Sequence, residues 1–334
     1  MRLDWGFVGA STIARQFMIA AVRQAGGAVR WTVSGDAARA RAFADENDIP
    51  QATDRLDAML ADPAVAAVYI STTNERHLPQ ALAAIAAGKH VLCEKPLALT
   101  VADAARMIRA AKDGGVVFAT NHHLRNAGSH LAIRDIVTSG RLGRVLSVRV
   151  HHAVHLPPHL QGWRINDPSA GGGVIPDITV HDADTVRFHL GEDPVEIVAQ
   201  AGTSGMGQGV EDSVMSVWSM PSGAMVMAHE SFTHPHAGTG IEIHGTEGSV
   251  IARAVMTQRP VGEVELVTAK GREPVPFATH DLYTCAVGRF HDAVAGRGRP
   301  SADGVDGVKS LAVALAVREA AQSGRRVAVD YGGV

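Results

Sequence analysis

Gly88-Lys89-His90-Val91-Leu92-Cys93-Glu94-Lys95-Pro96-Leu97-Ala98-Leu99-Thr100 is the stretch on which the fold turns. His90 to Cys93 has the length and apolarity of a buried strand, and it stops at a carboxylate and an ammonium, Glu94-Lys95. Charges at the mouth of an apolar strand are costly to bury without partners. Pro96 confines Lys95 to extended backbone and so holds the lysine at a corner. A bond before proline is also one that can be cis. An isolated Lys-Pro reads as a surface turn; the segments on either side change that reading.

Upstream, the pattern predicts strands at Leu3–Val8, Ala28–Ser34 and Ala67–Ser71, with helices following, the last at Leu78–Gly88. Gly88 has the place of a helix C′ glycine. Downstream come a helix at Val101–Gly114 and a strand at Val116–Thr120. Repeated strand–helix units at this spacing define a doubly wound parallel sheet, whose ligands bind at the strand carboxyl ends. Ser11, Ser34, Thr72, Lys95 and Asn121 all fall at such ends.

The first turn, Gly9-Ala10-Ser11-Thr12-Ile13-Ala14, separates a strand from a helix. That order suits a phosphate at the helix N-terminus, where free N–H groups and the helix dipole favour an anion. Only Gly9 remains of the usual three glycines, but Ser11 and Thr12 are small and offer hydroxyl donors. After the second strand, NAD enzymes keep an acid for the ribose 2′-hydroxyl. Ser34 holds that place here, with Arg39 one helical turn beyond. A hydroxyl and a guanidinium suit a 2′-phosphate, which points to NADPH/NADP+. Asp36, between them, weakens this unless it serves as N-cap of the helix Ala37–Glu46.

At 334 residues the chain has room for two domains, expected at 1–122 and 123–334. A net charge of −3 and the lack of a basic tract speak against nucleic acid. No apolar run approaches the ~18 residues that span a bilayer, and Met1 to Gly6 enters a strand at once, so a cytoplasmic protein is expected. Cys93 and Cys285 are expected to be reduced. The 17 histidines do not fall into a metal-ligand spacing, so no metal is expected.

In the second half, Val145–His152 alternates as a strand, which sends His151 and His152 to opposite faces. His155 and His159 bracket Pro157-Pro158 in a solvated loop. Trp163-Arg164 offers a ring that stacks on a sugar or nicotinamide face and a guanidinium that clamps oxygens. Gly171-Gly172-Gly173 reads as a mobile loop before a helix near Pro176. Asp177 and His181 are spaced i, i+4, so an α-helix places them on one face. A carboxylate there orients an imidazole and tunes it as a proton donor. Strands then follow from Val195 to Thr268 with hairpin-like turns, as in an antiparallel sheet. Arg253–Val261 and Ala269–Thr279 read as loops. The helix Asp281–Gly296 is expected to carry His291 on a solvated face.

With these residues in view, the chain resembles the glucose–fructose oxidoreductase/inositol dehydrogenase/MocA family over its whole length. The carriers are Gly9-Ala10-Ser11, Glu94-Lys95-Pro96 and Asp177-Ile178-Thr179-Val180-His181. Longer runs resemble a branch of that family that reduces keto sugars, among them Thr120-Asn121-His122-His123-Leu124-Arg125-Asn126, Leu156 to Arg164 and His244 to Ser249. The resemblance implies an N-terminal Rossmann sheet and a carboxyl-terminal α+β domain with a large, mostly antiparallel open sheet. It implies Lys95, Asp177 and His181 as catalytic residues. Gly9, Ala10, Ser11, Thr12, Ile13, Ser34, Gly35, Arg39, Thr72, Thr73, Asn74, His77, Glu94, Lys95, Asn121, Trp163, Arg164 and Tyr283 would hold the cofactor. Lys95, His152, Trp163, Arg164, Asp177 and His181 would face a keto sugar, His152 being the histidine of its pair that does so. The chain would be a monomer or a homo-oligomer formed through the carboxyl-terminal sheet. A polyol dehydrogenase, a glycosidase with retained NAD and a non-catalytic nucleotide sensor on the same fold stay open as alternatives.

Overall fold

His90–Cys93 is a strand in a computed structural model that describes residues 3–334. By internal contacts the chain forms two units. The first contains residues 3–123 and, returning much later, Tyr283–Val308; the second contains Leu124–Leu282 and Lys309–Val334.

Among the described residues, the first unit holds six strands: β1 (Asp4–Val8), β2 (Ala28–Val33), β3 (Gln51–Thr53), β4 (Ala67–Ile70), β5 (His90–Cys93) and β6 (Phe118–Thr120). Their order is β3-β2-β1-β4-β5-β6, and each neighbouring pair is parallel. The order reverses between β1 and β4, the place where such sheets open a crevice for a ligand. β5 lies between β4 and β6 with Val91, Leu92 and Cys93 buried, hence its unbroken apolar run. Asp36 does cap Ala37–Glu46: its side chain accepts from the Arg39 amide. Thr100 caps Val101–Asp113 in the same way.

The single boundary expected near residue 122 is corrected by Tyr283–Val308, which packs with the first unit. Its helix, Leu282–Val294, brings Phe290 to 5.1 Å between ring centroids from Trp5. The Trp5 indole also donates to His291 Nε2 at 3.1 Å. His291 is therefore buried, not on a solvated face. Trp5 needs a polar partner when fully buried, and sequence spacing could not reveal one so distant.

The second unit is built on nine strands among the described residues: β7 (Val145–Ala153), β8 (Glu196–Gly202), β9 (Ser213–Ser219), β10 (Met225–Ser231), β11 (Thr239–Gly245), β12 (Gly248–Arg253), β13 (Glu263–Thr268), β14 (Gly271–Pro274) and β15 (Val327–Ala328). They run in the order β14-β13-β12-β11-β7-β10-β9-β8-β15. All pairs are antiparallel except β7 and β10. β14 lies inside the segment expected to be loop, where pairing with β13 overrides a polar sequence. One face carries the core, including Val148, Val226, Trp218 and Ile243. On the other face Val198, Val217 and Met227 stand in register and exposed, with Met215 and Met225 nearby. Among the described residues no helix is long and apolar enough to cross a membrane.

Candidate active site

The phosphate turn follows β1. Gly9 has φ +113°, and a Cβ there would lie 2.8 Å from the Ser71 carbonyl oxygen at the end of β4. Glycine is required at this position by the approach of the two strand ends. Ser11 shares a 2.7 Å hydrogen bond with the Ser71 hydroxyl and accepts from the Ala14 amide. Thus Ser11 braces the turn, and Ser71 is a partner that sequence reading passed over. The helix begins with a π-helical segment, Ala14–Met18, before Ile19–Gln24. Beside it is a hollow of about 300 Å³ lined by Ser11, Thr12, Arg15 and Arg39, with Glu46 at its edge. Arg39 donates to the Ala10 carbonyl at 3.1 Å and so sits over the turn. Arg76, unremarked in the sequence, comes within 3.7 Å of where a Cβ on Gly35 would stand. Small residues at a helix start ringed by guanidinium groups fit a nucleotide with phosphate groups.

At the neighbouring strand ends the expected residues meet, but several do so through one another. Glu94 accepts from the Tyr69 hydroxyl and from Asn121 Nδ2, both at 2.6 Å. Burial pushes its carboxyl above the ordinary range, while those two donors act the other way. Both donors reach the same oxygen, Oε1. Thr72 and Thr73 likewise donate to Gln80 and Glu75, each at 2.6 Å. His77 is fully buried, with Nδ1 2.9 Å from the Pro96 carbonyl and Nε2 3.2 Å from the Thr72 carbonyl. Burial also lowers its basicity. Its ring lies between the Thr72 loop and the Lys95-Pro96 corner, within hydrogen-bond distance of a carbonyl of each. Lys95 stands half-buried at that corner, and the Lys95–Pro96 peptide is cis. Tyr283 is fully buried, and its ring stacks on Phe17 and His123 at 4.8 and 5.1 Å.

In the second unit, His152 and His181 have ring centroids 6.3 Å apart. His181 opens the helix Val180–Leu190, which continues from a π-helical segment, Ile175–Thr179. Asp177 lies in that segment, so the α-helical spacing assumed for Asp177 and His181 is interrupted by a wider turn. Asp177 meets Arg164 at 3.4 Å, and the Arg164 guanidinium lies 4.7 Å over the Trp163 ring. Trp163, Arg164 and Asp177 therefore form one group, which the sequence had treated as separate candidates. The Gly171–Gly173 loop is close-packed rather than mobile. Gly173 donates to the Arg164 carbonyl, and a Cβ on Gly172 would lie 2.6 Å from the Trp163 carbonyl. A Cβ on Gly173, at φ +111°, would meet Glu211.

Behind His152 lies Asp182, whose Oδ1 is 3.2 Å from His152 Nδ1. Asp182 was not among the candidates; next to His181 in sequence, it carried no signal of its own. Two residues on, Asp184 forms a two-pronged pair with Arg125 at 2.6 and 2.8 Å. Nearly every residue of this helix is buried although five of eleven are charged or histidine. Such a helix is stable only because each charge finds a partner from another element. Among the described residues no cluster is suited to a metal ion.

The switch-point crevice and its phosphate turn define the first half of the chain as the nucleotide-binding part of a nicotinamide-dependent oxidoreductase. Residues 3–122 match the oxidoreductase family with an NAD-binding Rossmann fold, and residues 130–251 match the GFO/IDH/MocA C-terminal domain. The chain belongs to the Gfo/Idh/MocA oxidoreductase family. It is 54% identical to 1,5-anhydro-D-fructose reductase of Ensifer adhaerens over 98% of this chain and 99% of that protein. It is 30% identical to D-xylose 1-dehydrogenase (NADP(+)) 2 of Haloferax volcanii, over 98% and 99% of the two chains. Among solved structures, aldose-aldose oxidoreductase from Caulobacter crescentus, complexed with glycerol, superposes with a TM-score of 0.90 at 26% identity, covering 98% of this chain and all of that one.

Proposed function

We propose that this protein is an NADPH-dependent reductase of a keto sugar, converting 1,5-anhydro-D-fructose to 1,5-anhydro-D-mannitol. What carries the reading is the full-length likeness to the Ensifer enzyme. Ser34 and Arg39 support the choice of NADPH, since a hydroxyl and a guanidinium suit a 2′-phosphate. Asp36, the acid two residues beyond Ser34, is committed to its helix cap.

Bound NADPH would supply the hydride to the keto carbon. In this reading Lys95 hydrogen-bonds the keto oxygen and stabilises the negative charge that develops there. His181 gives that oxygen its proton, and Asp177 orients His181. Trp163, Arg164 and His152 hold the sugar hydroxyls and the nicotinamide end. The apolar outer face of the large sheet is the surface through which copies of the chain would meet. Sedimentation of purified protein separates monomer from homo-oligomer.

The test is to follow reduced-nicotinamide absorbance with 1,5-anhydro-D-fructose, NADPH and NADH side by side. Substrate-dependent oxidation of NADPH with little use of NADH is expected. A preference for NADH would overturn the cofactor assignment and leave the reaction standing. Tight cofactor binding with no oxidation of either would overturn the sugar.

A further inference from the structure

Two acids in the second unit have no role in the reading above, and both are 0% exposed: Asp182 and Glu230. They reach one place from two directions. Glu230 on β10 is the Cα partner of His152 on β7 in the parallel ladder. Asp182 comes from the helix Val180–Leu190 and touches His152 Nδ1 through Oδ1. The two carboxyl groups face each other, with the Thr179 hydroxyl alongside. Asp182 Oδ2 and both Glu230 oxygens are buried without a well-formed hydrogen bond, although the Thr179 hydroxyl is a donor that faces Glu230. Arg125 is paired with Asp184, and Arg187, on the same helix, chiefly with Asp193.

Two fully buried carboxyl groups that face each other, with at most one hydroxyl donor beside them, do not describe two carboxylates. Ionised together they would repel at close range and each would carry a large desolvation cost. A single proton between them removes the repulsion and turns one orphan acceptor into a donor. Burial, the leading cause, and the facing partner both push Glu230 well above the carboxylate range; burial does the same for Asp182. One negative charge is then left on the pair, and its available oxygen is Asp182 Oδ1, at His152.

We propose that Asp182 and Glu230 share one proton and act as positioning residues that fix His152 in its Nδ1–H tautomer, so that Nε2 accepts a hydroxyl proton from the sugar. The last clause rests on the reductase reading. The tautomer matters because a neutral imidazole has one donor and one acceptor, and its neighbour decides which is which. With Nδ1–H spent on Asp182, the His152 ring offers the substrate an acceptor only. A substrate with a hydroxyl there is held; one with only an acceptor is refused.

Infrared and ¹⁵N NMR spectra of the protein without substrate, near neutral pH, test this directly. A carboxylic C=O stretch from a buried protonated acid is expected, lost in Glu230→Gln. His152, assigned by its disappearance in His152→Gln, is expected to show a protonated Nδ1 and an unprotonated Nε2. Asp182→Asn is expected to move the proton toward Nε2 and to raise the sugar KM about tenfold, the loss of one hydrogen bond. No protonated-carboxyl band, or a wild-type His152 with its proton on Nε2 or on both nitrogens, overturns the proposal. If the spectra come out as expected while 1,5-anhydro-D-fructose is not reduced, the carboxyl pair and the tautomer stand and the sugar assignment alone falls.

Discussion

The hydroxyl of Tyr69 donates to Glu94 Oε1 at 2.6 Å, joining the end of β4 to the residue that precedes Lys95. The bond explains how a carboxylate is tolerated at the mouth of an apolar strand: Tyr69 and Asn121 solvate it in place of water. Hydrogen bonds to charged groups contribute about 1.5–3 kcal/mol, and an abandoned buried acceptor costs as much again in context. Tyr69→Phe is expected to lower stability by about 2 kcal/mol, read as a lower urea midpoint at unchanged slope. An unchanged midpoint would refute the role given to this pair.

His181→Ala is expected to reduce turnover about 10²–10⁴-fold, the range for loss of a general acid. Lys95→Met should cost a comparable factor of about 10²–10³, the range for loss of a group that stabilises a developing oxyanion. Steady-state kcat with saturating cofactor and substrate checks both. Turnover kept in His181→Ala would remove the proton-donor role.

Arg39 sits over the phosphate turn and beside the hollow at the helix start. Arg39→Ala is expected to weaken NADPH binding roughly tenfold or more, one charge-assisted contact, and to leave NADH binding nearly unchanged. Fluorescence titration of the two cofactors gives the ratio. Equal losses for both would show that Arg39 serves the turn and not a 2′-phosphate.

His130 and His189 lie in contact in the second core, with Nδ1 of one 3.0 Å from Nε2 of the other. Burial brings His130 down to about 4 and puts His189 well below its ordinary value. A base depressed in the folded state is protonated first in the unfolded chain, so the unfolded state binds more protons as pH falls. Stability is therefore complete above about pH 6.5 and is lost between there and about pH 4, by about 3 kcal/mol for His130. The buried acids Asp182 and Glu230, raised instead of lowered, act with the opposite sign. The clean measurement is the difference in urea midpoint between pH 7 and pH 5 for wild type and His130→Asn. The variant is expected to show the shallower fall.

The first sheet was legible because each of its strands is apolar, punctuated and followed by a helix, and because Ser11, Ser34, Thr72, Lys95 and Asn121 recur at one end of it. Asp36 as a cap was legible for the same local reason. What stayed hidden was set by partners far away in the chain. The approach of the His77 ring to the Pro96 carbonyl joins residues that no local pattern links. The helix bearing His181, Asp182 and Asp184 has no apolar periodicity, since its charges are matched by Arg125 and His152 from other elements. The π-helical segments at Ala14–Met18 and Ile175–Thr179 adjoin the phosphate turn and His181. Nothing in residue type distinguishes such a turn from an α-helical one.

The return of Tyr283–Val308 to the first unit also sets a schedule for synthesis. A ribosome adding about 5–20 residues per second takes roughly 10–30 s to pass from the end of the first segment to the start of the second. Throughout that interval Trp5 and its neighbours are without Phe290 and His291, which complete their packing across 286 positions. The nucleotide-binding half is thus translated first and finished late. A nascent chain stalled before Tyr283 should expose that aromatic face to chaperones and to protease, and release past Val308 should close it.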